Sequence, residues 1–508
     1  MSTAFTYLSQ NFSSDSEDED MLVTPKHNHV DEFKSVLDPI HGFITVHPLC
    51  WKIIDTPEFQ RLRDIQQLGG ASYVFPGATH NRFQHSIGVY YLARLYMENF
   101  QKKQPELCIQ EKDILMVSIA GLCHDLGHGI KSHLYDTQFL RIMNKGEGWS
   151  HEIMSTRLLQ LIIDKYNLLP LFENYDLYAE DIHCIYEMIL GSPKEAPDGW
   201  EWTGMKGKEY MYQIVANKNN GIDVDKFDYY SRDSYYLGIP SPMVISRIIE
   251  ASRVRDRSNK AYDICYAEKA AFDIYEFFHS RASLHKRVYQ HKVCKSIEIM
   301  LTEVLIYAEK GGYTIKYNDQ EYKLSDIYKY PEVYVQATDW IYHDIMNKNA
   351  TTPDMKKAQY IMNRILNRDL YKCVGEFLID KTNDKHIQVE ELETTLFDIC
   401  NQKGGNVIVD KDDILCQVVS IDFGMKKNNP VNNVVFFSKH KHNDYHHIEP
   451  HEISRMLPDN FIDTFIRIYS RNIQHCKPIQ EAFEQWYQQH EDQINDSSDY
   501  GRKRRMSE

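Results

Sequence analysis

No CxxC pair occurs among the ten cysteines of this 508-residue chain, and no secretory signal pattern opens it. That absence excludes a thiolate zinc site and argues against a disulfide framework, leaving reduced thiols in an intracellular setting. Long hydrophobic runs are lacking as well. The longest, Ile114 to Cys123, is too short to span a bilayer, so no membrane partner is expected. Basic charge is scarce: 58 Lys and Arg face 73 Asp and Glu, a net charge of -15 at pH 7. Wholesale coating of nucleic acid is thereby excluded, because phosphate affinity needs clustered cations. A local basic pocket and weak single-stranded nucleic-acid binding remain compatible with that balance.

The apolar share of 42% is ordinary for a soluble protein and enough to fill a sizeable core. At this length a single core stops growing, which predicts a main body with a smaller lobe. Residues 1–32 are polar, and SSDSEDED (13–20) predicts a disordered acidic tail. A second disordered tail is expected over 491–508, where RKRR (502–505) reads equally as a nuclear address or a solvated end; nucleus and cytosol both fit.

Between the tails, helical spacing dominates to about residue 310. In DTPEFQRLRDIQQL, Thr56 predicts an N-cap with Pro57 at the first helical position, and Phe59, Leu62 and Ile65 recur every three residues. Gln60 and Arg63 then become neighbours on the other side. KVCKSIEIMLTEVLIYAEK (292–310) predicts an amphipathic helix stopped by Gly311 and Gly312. Strands are predicted for YTIKY, NVIVD, ILCQVVSIDF and NNVVFFSK. The expected fold is mainly α, with a helical core over 33–310 and a smaller α/β lobe over 311–490.

The chemistry concentrates in GLCHDLGHGIKSH (121–133). His124 and Asp125 end an apolar helix before Gly127 and Gly129, where side chains can face a cavity. A lone His-Asp pair reads more readily as a hydrogen-bonded core pair, but His85 in HNRFQHSIG and Asp225 in NGIDVDKFDYYSRD offer further ligands. Two imidazoles and two carboxylates form a mixed set suited to Fe, Mn or Zn, or to Mg with more waters. Spacing does not choose among Asp223, Asp225 and Asp228. His124 and His128 share the spacing of an H-E-x-x-H protease, but Asp replaces the Glu and a glycine intervenes, which rejects that reading. Asp225, Tyr229 and Asp233, with Lys226 beside them, share a helical face. Arg281 begins another with His285, Tyr289 and Lys292. Arg82, Lys226 and Arg281 together would clamp phosphate around a metal, although each alone reads as a surface charge.

These segments, with DPIHGFITVHP, QLGGASYVFPGATHNRFQHSIGVYYLA, SLHKRVYQHKV and DFGMKKNNP, resemble the HD-domain metal phosphohydrolases. Within them the chain resembles the deoxynucleoside triphosphate triphosphohydrolases of the sterile-alpha-motif and HD-domain family, from about residue 34 to 490. The resemblance implies an HD-domain helical core with His85, His124, Asp125 and Asp225 on a metal, and Mg bridging nucleotide phosphates. It implies that His128, His133, Asp136 and His151 surround the scissile phosphate, with Asp136 fixing His151. Water activated at the metal would attack the α-phosphorus of a dNTP, releasing deoxynucleoside and triphosphate, with His133, or alternatively His128, protonating the leaving oxygen. Arg82, Lys226, Tyr229 and Arg281 would hold the triphosphate, Gln67, Leu68 and Asp233 the sugar, and Gln290 the base. Tyr289 would exclude a 2'-hydroxyl.

The same resemblance implies activation by GTP and dNTP, which would assemble a dimer into a homotetramer. A guanine site maps to Lys34, Asp55, Gln60, Arg63 and Arg368. The neighbouring dNTP site maps to Val74, Phe75, Arg247, Lys269, His291, Lys292 and Lys439, but Leu37, Ala267 and Asp273 depart from the pattern and predict weaker activation there. Two other readings stand beside this one: an HD phosphodiesterase or 5'-nucleotidase, and a non-catalytic nucleic-acid-binding homologue.

Overall fold

The computed structural model describes residues 33–256, 262–379, 388–402, 408–439 and 444–495. Both expected tails lie largely outside them, at 1–32 and 496–508. The fold is mainly α. Its larger body is built around helices α1 (Arg82–Lys103), α2 (Glu111–Cys123), α3 (His151–Lys165), α4 (Val224–Leu237), α5 (Ala271–Leu284) and α6 (Lys292–Lys310). Local chemistry sets their ends. The Asn81 side chain accepts from Gln84 N at 3.2 Å to start α1, and Ser150 does the same for Ile153 N at 3.3 Å to start α3. The α6 helix has the bounds read from its periodicity, and Gly312 follows with φ +90°.

The segment after Thr56 behaves differently from a regular helix. Thr56 caps Phe59 N at 3.3 Å as expected, but the α-helix lasts only from Pro57 to Gln60 before tightening into a 3-10 turn, Arg61–Asp64. The cause is visible in the spacing. Phe59, Leu62 and Ile65, all fully buried, recur every three residues, the repeat of a 3-10 turn rather than of an α-helix.

Strands also enter the body that sequence periodicity reads as helical. Ser252–Asp256 and Tyr262–Ala267 pair antiparallel, and Tyr266 and Ala267 pair parallel with Phe436 and Phe437. Only those two residues of NNVVFFSK form a strand. The described part of NVIVD, residues 408–410, forms none. There the Asn401 side chain takes both the N–H and the carbonyl of Val409, each at 3.2 Å, in place of a strand partner.

The second lobe is a three-stranded antiparallel sheet with Ile462–Ser470 at its centre, flanked by Lys372–Ile379 and Ile414–Asp422. Helices Val389–Gln402 and Cys476–Asn495 pack on it and close a small core around Phe377, Leu396, Ile466 and Trp486. The larger core continues well past residue 310, through Met355, Ile361 and Tyr371, because the helix Pro353–Leu366 packs back along α6. The chain crosses from one core to the other between Tyr371 and Phe377. Among the described residues no helix is long and apolar enough to cross a membrane, and no disulfide is formed.

Candidate metal centre and nucleotide pocket

Four side chains from three helix ends converge. His85 lies in the first turn of α1, His124 caps the C-terminus of α2 with Asp125 next to it, and Asp225 lies in the first turn of α4. His85 Nε2 is 3.1 Å from Asp225 Oδ1 and 3.3 Å from Asp125 Oδ2; His124 Nε2 is 3.5 Å from Asp225 Oδ1 and 3.4 Å from Asp125 Oδ1. Both imidazoles are oriented from behind. His124 Nδ1 donates to the Gly121 carbonyl at 2.8 Å, and His85 Nδ1 faces Asp228 Oδ2 at 2.7 Å. Each Nε2 is left turned toward the two carboxylates, the arrangement that directs a lone pair at a cation. His124 Nε2 is buried with no hydrogen-bond partner. Burial alone would lower His85, yet Asp225, Asp228 and Asp125 hold it up at about 10. A cluster so rich in carboxylate calls for positive charge at its centre, and its N2O2 donor set fits Fe, Mn or Zn.

The structure separates the three aspartates that spacing leaves open. Asp223 caps α4 and pairs with Lys226 at 2.8 Å; Asp225 joins the cluster; Asp228 stands behind His85. Asp228 is itself fully buried and held by Arg232 at 2.8 and 2.9 Å and by His41 at 2.7 Å. Gly88 makes this approach feasible, since a Cβ there would lie 1.9 Å from Asp228 Oδ1. The roles of Asp228, Arg232 and His41 escape sequence reading. Their one signal is the i, i+4 pairing of Asp228 with Arg232 on α4.

A second group lies alongside. His128 and His151 stack with ring centroids 3.9 Å apart, and His133 stands edge-on to both. Gly127 lets α3 come this close, because a Cβ there would meet the His151 carbonyl at 2.1 Å. Asp136 Oδ2 faces His151 Nδ1 at 3.1 Å and His133 Nδ1 at 3.8 Å. Burial opposes the charge on His151, but Glu152, Asp136 and Asp125 outweigh it and raise its pKa. His128 moves the other way: burial, Arg82 and His151 hold it well below the usual histidine range.

Both groups open onto a pocket of about 420 Å3, within the range of ligand sites. Its lining brings together Gln67, Leu68, Arg82, Tyr229, Asp233, Arg281, Tyr289 and Gln290, along with His133. The Gln67 Oε1 is buried and unpartnered. Arg82 reaches Asp125 through Nη1 and Ser132 Oγ through Nε at 3.0 Å. Asp233 is shared: one oxygen faces His80 Nε2 at 2.6 Å, and the other accepts from the Tyr289 hydroxyl at 2.5 Å. Lys226 is the exception among the expected phosphate ligands. It lines a smaller cavity of about 120 Å3 on the opposite flank of Asp225. The far wall of the larger pocket is braced by the second lobe, where Arg467 Nη1 donates to the Gln290 carbonyl at 2.5 Å and Asp422 lies 3.5 Å from Arg281 Nε.

The charged residues expected at the activator sites are mostly exposed and less tightly joined. Lys34 lies 3.9 Å from Asp55, Arg63 Nε donates to Gln60 Oε1 at 2.7 Å, and Gln60 Nε2 donates to the Ile54 carbonyl at 2.8 Å. Arg368 donates to the Tyr73 carbonyl at 2.5 Å. In the second set, Phe75 meets His291 edge-on at 5.8 Å next to Val74, and Lys269, Lys292 and Lys439 are exposed. Leu37 is 72% exposed, Ala267 is buried in its strand, and Arg247 is occupied by Asp273 through Nε at 3.1 Å and Nη2 at 3.0 Å.

The class follows from the sequence profile described as HD domain, which matches residues 82–233, the stretch that supplies all four converging ligands. The relatives narrow it. "Deoxynucleoside triphosphate triphosphohydrolase SAMHD1" of Gallus gallus is 41% identical over 449 residues, covering 87% of this chain and 72% of that protein. The Homo sapiens protein of the same name is 39% identical, covering 90% and 74%. The Dictyostelium discoideum SAMHD1 homolog is 36% identical, covering 90% and 81%. The chain belongs to the SAMHD1 family of HD-domain proteins.

Proposed function

We propose that the chain is a metal-dependent hydrolase that cleaves deoxynucleoside triphosphates to deoxynucleoside and inorganic triphosphate. The observation that carries this reading is the convergence of His85, His124, Asp125 and Asp225 at the edge of a pocket whose other walls hold Arg82, Arg281 and the Asp233–Tyr289 pair. An ion held by His85, His124, Asp125 and Asp225 would supply Lewis-acid chemistry toward a phosphoryl group and water. Arg82 and Arg281 neutralise the triphosphate, and Mg carried in with the nucleotide would add positive charge there. His151, made more basic with Asp136 behind it, holds a proton at the reacting phosphate. His133, at the pocket mouth with its side chain 61% exposed, is the donor to the 5' oxygen. His128, buried and held neutral, is poorly suited to give a proton away. The Tyr289 ring, pinned by its hydroxyl to Asp233, stands against the 2' carbon of the sugar, where a 2'-hydroxyl would clash.

GTP at Lys34, Asp55, Gln60, Arg63 and Arg368, followed by a dNTP at the neighbouring set, converts a dimer into the active homotetramer. What supports the first site is the Gln60–Arg63 pair, whose amide and guanidinium can meet a guanine edge and a phosphate. The test is incubation with dGTP, GTP and divalent metal, with chromatography of products and mass measurement of the oligomer. Inorganic triphosphate together with a GTP-dependent tetramer is expected. Pyrophosphate or monophosphate would instead indicate a phosphodiesterase or nucleotidase.

A further inference from the structure

The turn that carries Gln60 and Arg63 has a second, inward face. Arg63 points out, over the Phe83 ring at 3.6 Å. Between the two, Arg61 is 5% exposed and turns inward, donating through Nη1 and Nη2 to the His128 carbonyl at 2.9 and 2.7 Å. Residues of a 3-10 turn advance by about 120° each, so neighbours in sequence necessarily face different ways. The Arg61 guanidinium lies over the Tyr334 ring at 5.1 Å, and the Tyr334 hydroxyl donates to the Gly127 carbonyl at 2.8 Å. At the end of the same turn the Asp64 carbonyl accepts from Asp339 N at 3.0 Å, and the Asp339 carboxylate accepts from Lys131 N at 2.7 Å. One short turn therefore holds both ends of the segment that carries His128 and leads into His133.

That segment needs holding. Lys131 and Ser132 have φ of +55° and +58°, two consecutive non-glycine residues in the left-handed region, a conformation that persists only where the surroundings impose it. Arg61 is itself an unusual investment: a buried cation whose hydrogen bonds go to a carbonyl, so that its desolvation is only partly offset. Such a group is retained where its fork geometry fixes something. Here it fixes the backbone of the histidine that stacks on His151.

We propose that Arg61 is a positioning residue that couples occupancy of the outward Gln60–Arg63 face to the geometry of the His128–His133 segment. This rests on the nucleotide-activator reading given above. A nucleotide phosphate that draws Arg63 outward rotates the turn, and the Arg61 fork carries the His128 carbonyl with it; the Asp64–Asp339–Lys131 tie moves the other end.

The test uses the full-length Arg61→Lys protein, which keeps the cation but loses the fork, with dATP as substrate and GTP as activator. GTP affinity and tetramer mass should stay within about two-fold of wild type, while kcat at saturating GTP falls about ten-fold or more with little change in KM. Full recovery of kcat at saturating GTP, or a fall in kcat only in step with lost assembly, would overturn the coupling. Asp339→Asn, which weakens the other tie, should give the same signature, and it decides the matter if Arg61→Lys does not fold. A wild-type kcat indifferent to GTP would defeat the activator reading. Wild-type activation alongside an unchanged Arg61→Lys kcat would defeat the coupling alone.

Discussion

The catalytic pocket and the expected second activator site are both clusters of charge, yet they are built on opposite principles. In the pocket and the layer behind it most charged groups are buried or half-buried, and many are answered by a specific partner: Asp228 by Arg232 and His41, His151 by Asp136 and Glu152, Asp233 by Tyr289 and His80. At the activator site the charges are exposed, and the one tight ion pair, Arg247 with Asp273, is made within the protein itself. Burial makes a charged site intolerant, because an unmatched charge cannot fall back on water. Exposure makes it adaptable, because solvent screens whatever is lost.

The sharpest way to break this contrast is at the metal ligands. Asp225→Ala removes one of two carboxylates that face both imidazoles, and kcat should fall by about 1000-fold or more. Metal analysis of the purified variant should show the ion lost while circular dichroism stays native.

Asp228→Asn tests the layer behind. It should weaken metal affinity by about 10- to 100-fold, because His85 loses the carboxylate that orients it. It should also lower unfolding stability by about 3 kcal/mol, since Arg232 is left buried with a reduced partner. Metal titration and denaturant unfolding read the two effects separately.

Asp136→Asn probes the histidine pair. His151 is raised above its ordinary value despite burial, with Glu152, Asp136 and Asp125 favouring the protonated form. Protonation therefore stabilises the fold below the ordinary histidine value, and that contribution is lost as pH rises through the raised one. Removing the Asp136 charge draws the value down. The alkaline limb of the kcat profile, where the protonated His151 is lost, should move to lower pH by about one unit, and a limb that stays in place would release His151 from its assigned role.

The smallest effect belongs to the exposed site. Asp273→Asn frees Arg247 and removes a negative charge, so the concentration of dNTP needed for half-maximal assembly should drop about three-fold. Mass photometry across a dNTP titration at fixed GTP would measure it.

The same contrast explains what could be read from the sequence. His124 and Asp125 were legible because a long apolar helix ending in His-Asp-x-Gly has few structural uses. The α6 helix was legible from period and glycine stop. Asp225 could not be told from Asp223 and Asp228, because ligand, cap and orienting carboxylate share one composition and differ only in rotation about the helix. Ile462–Ser470, the central strand of the second lobe, carries polar residues on one side and drew no attention. NVIVD has strand composition, but a single side chain, Asn401, satisfies Val409 in another way. Arg61 and Asp339 were invisible for a different reason: they grip the His128 carbonyl and the Lys131 N–H, backbone groups that leave no trace in residue identity.

The brace at Gln290 and Arg281 gives the pocket two ends with different owners. The end beside Asp225 and His151 belongs wholly to the helical body, whereas the end at Gln290 and Arg281 leans on Arg467 and Asp422 of the second lobe. A small tilt of that lobe would unlatch one end like a door on its frame while the His85, His124, Asp125 and Asp225 cluster stayed where it is. Entry of nucleotide and departure of product then need no disturbance of the chemistry.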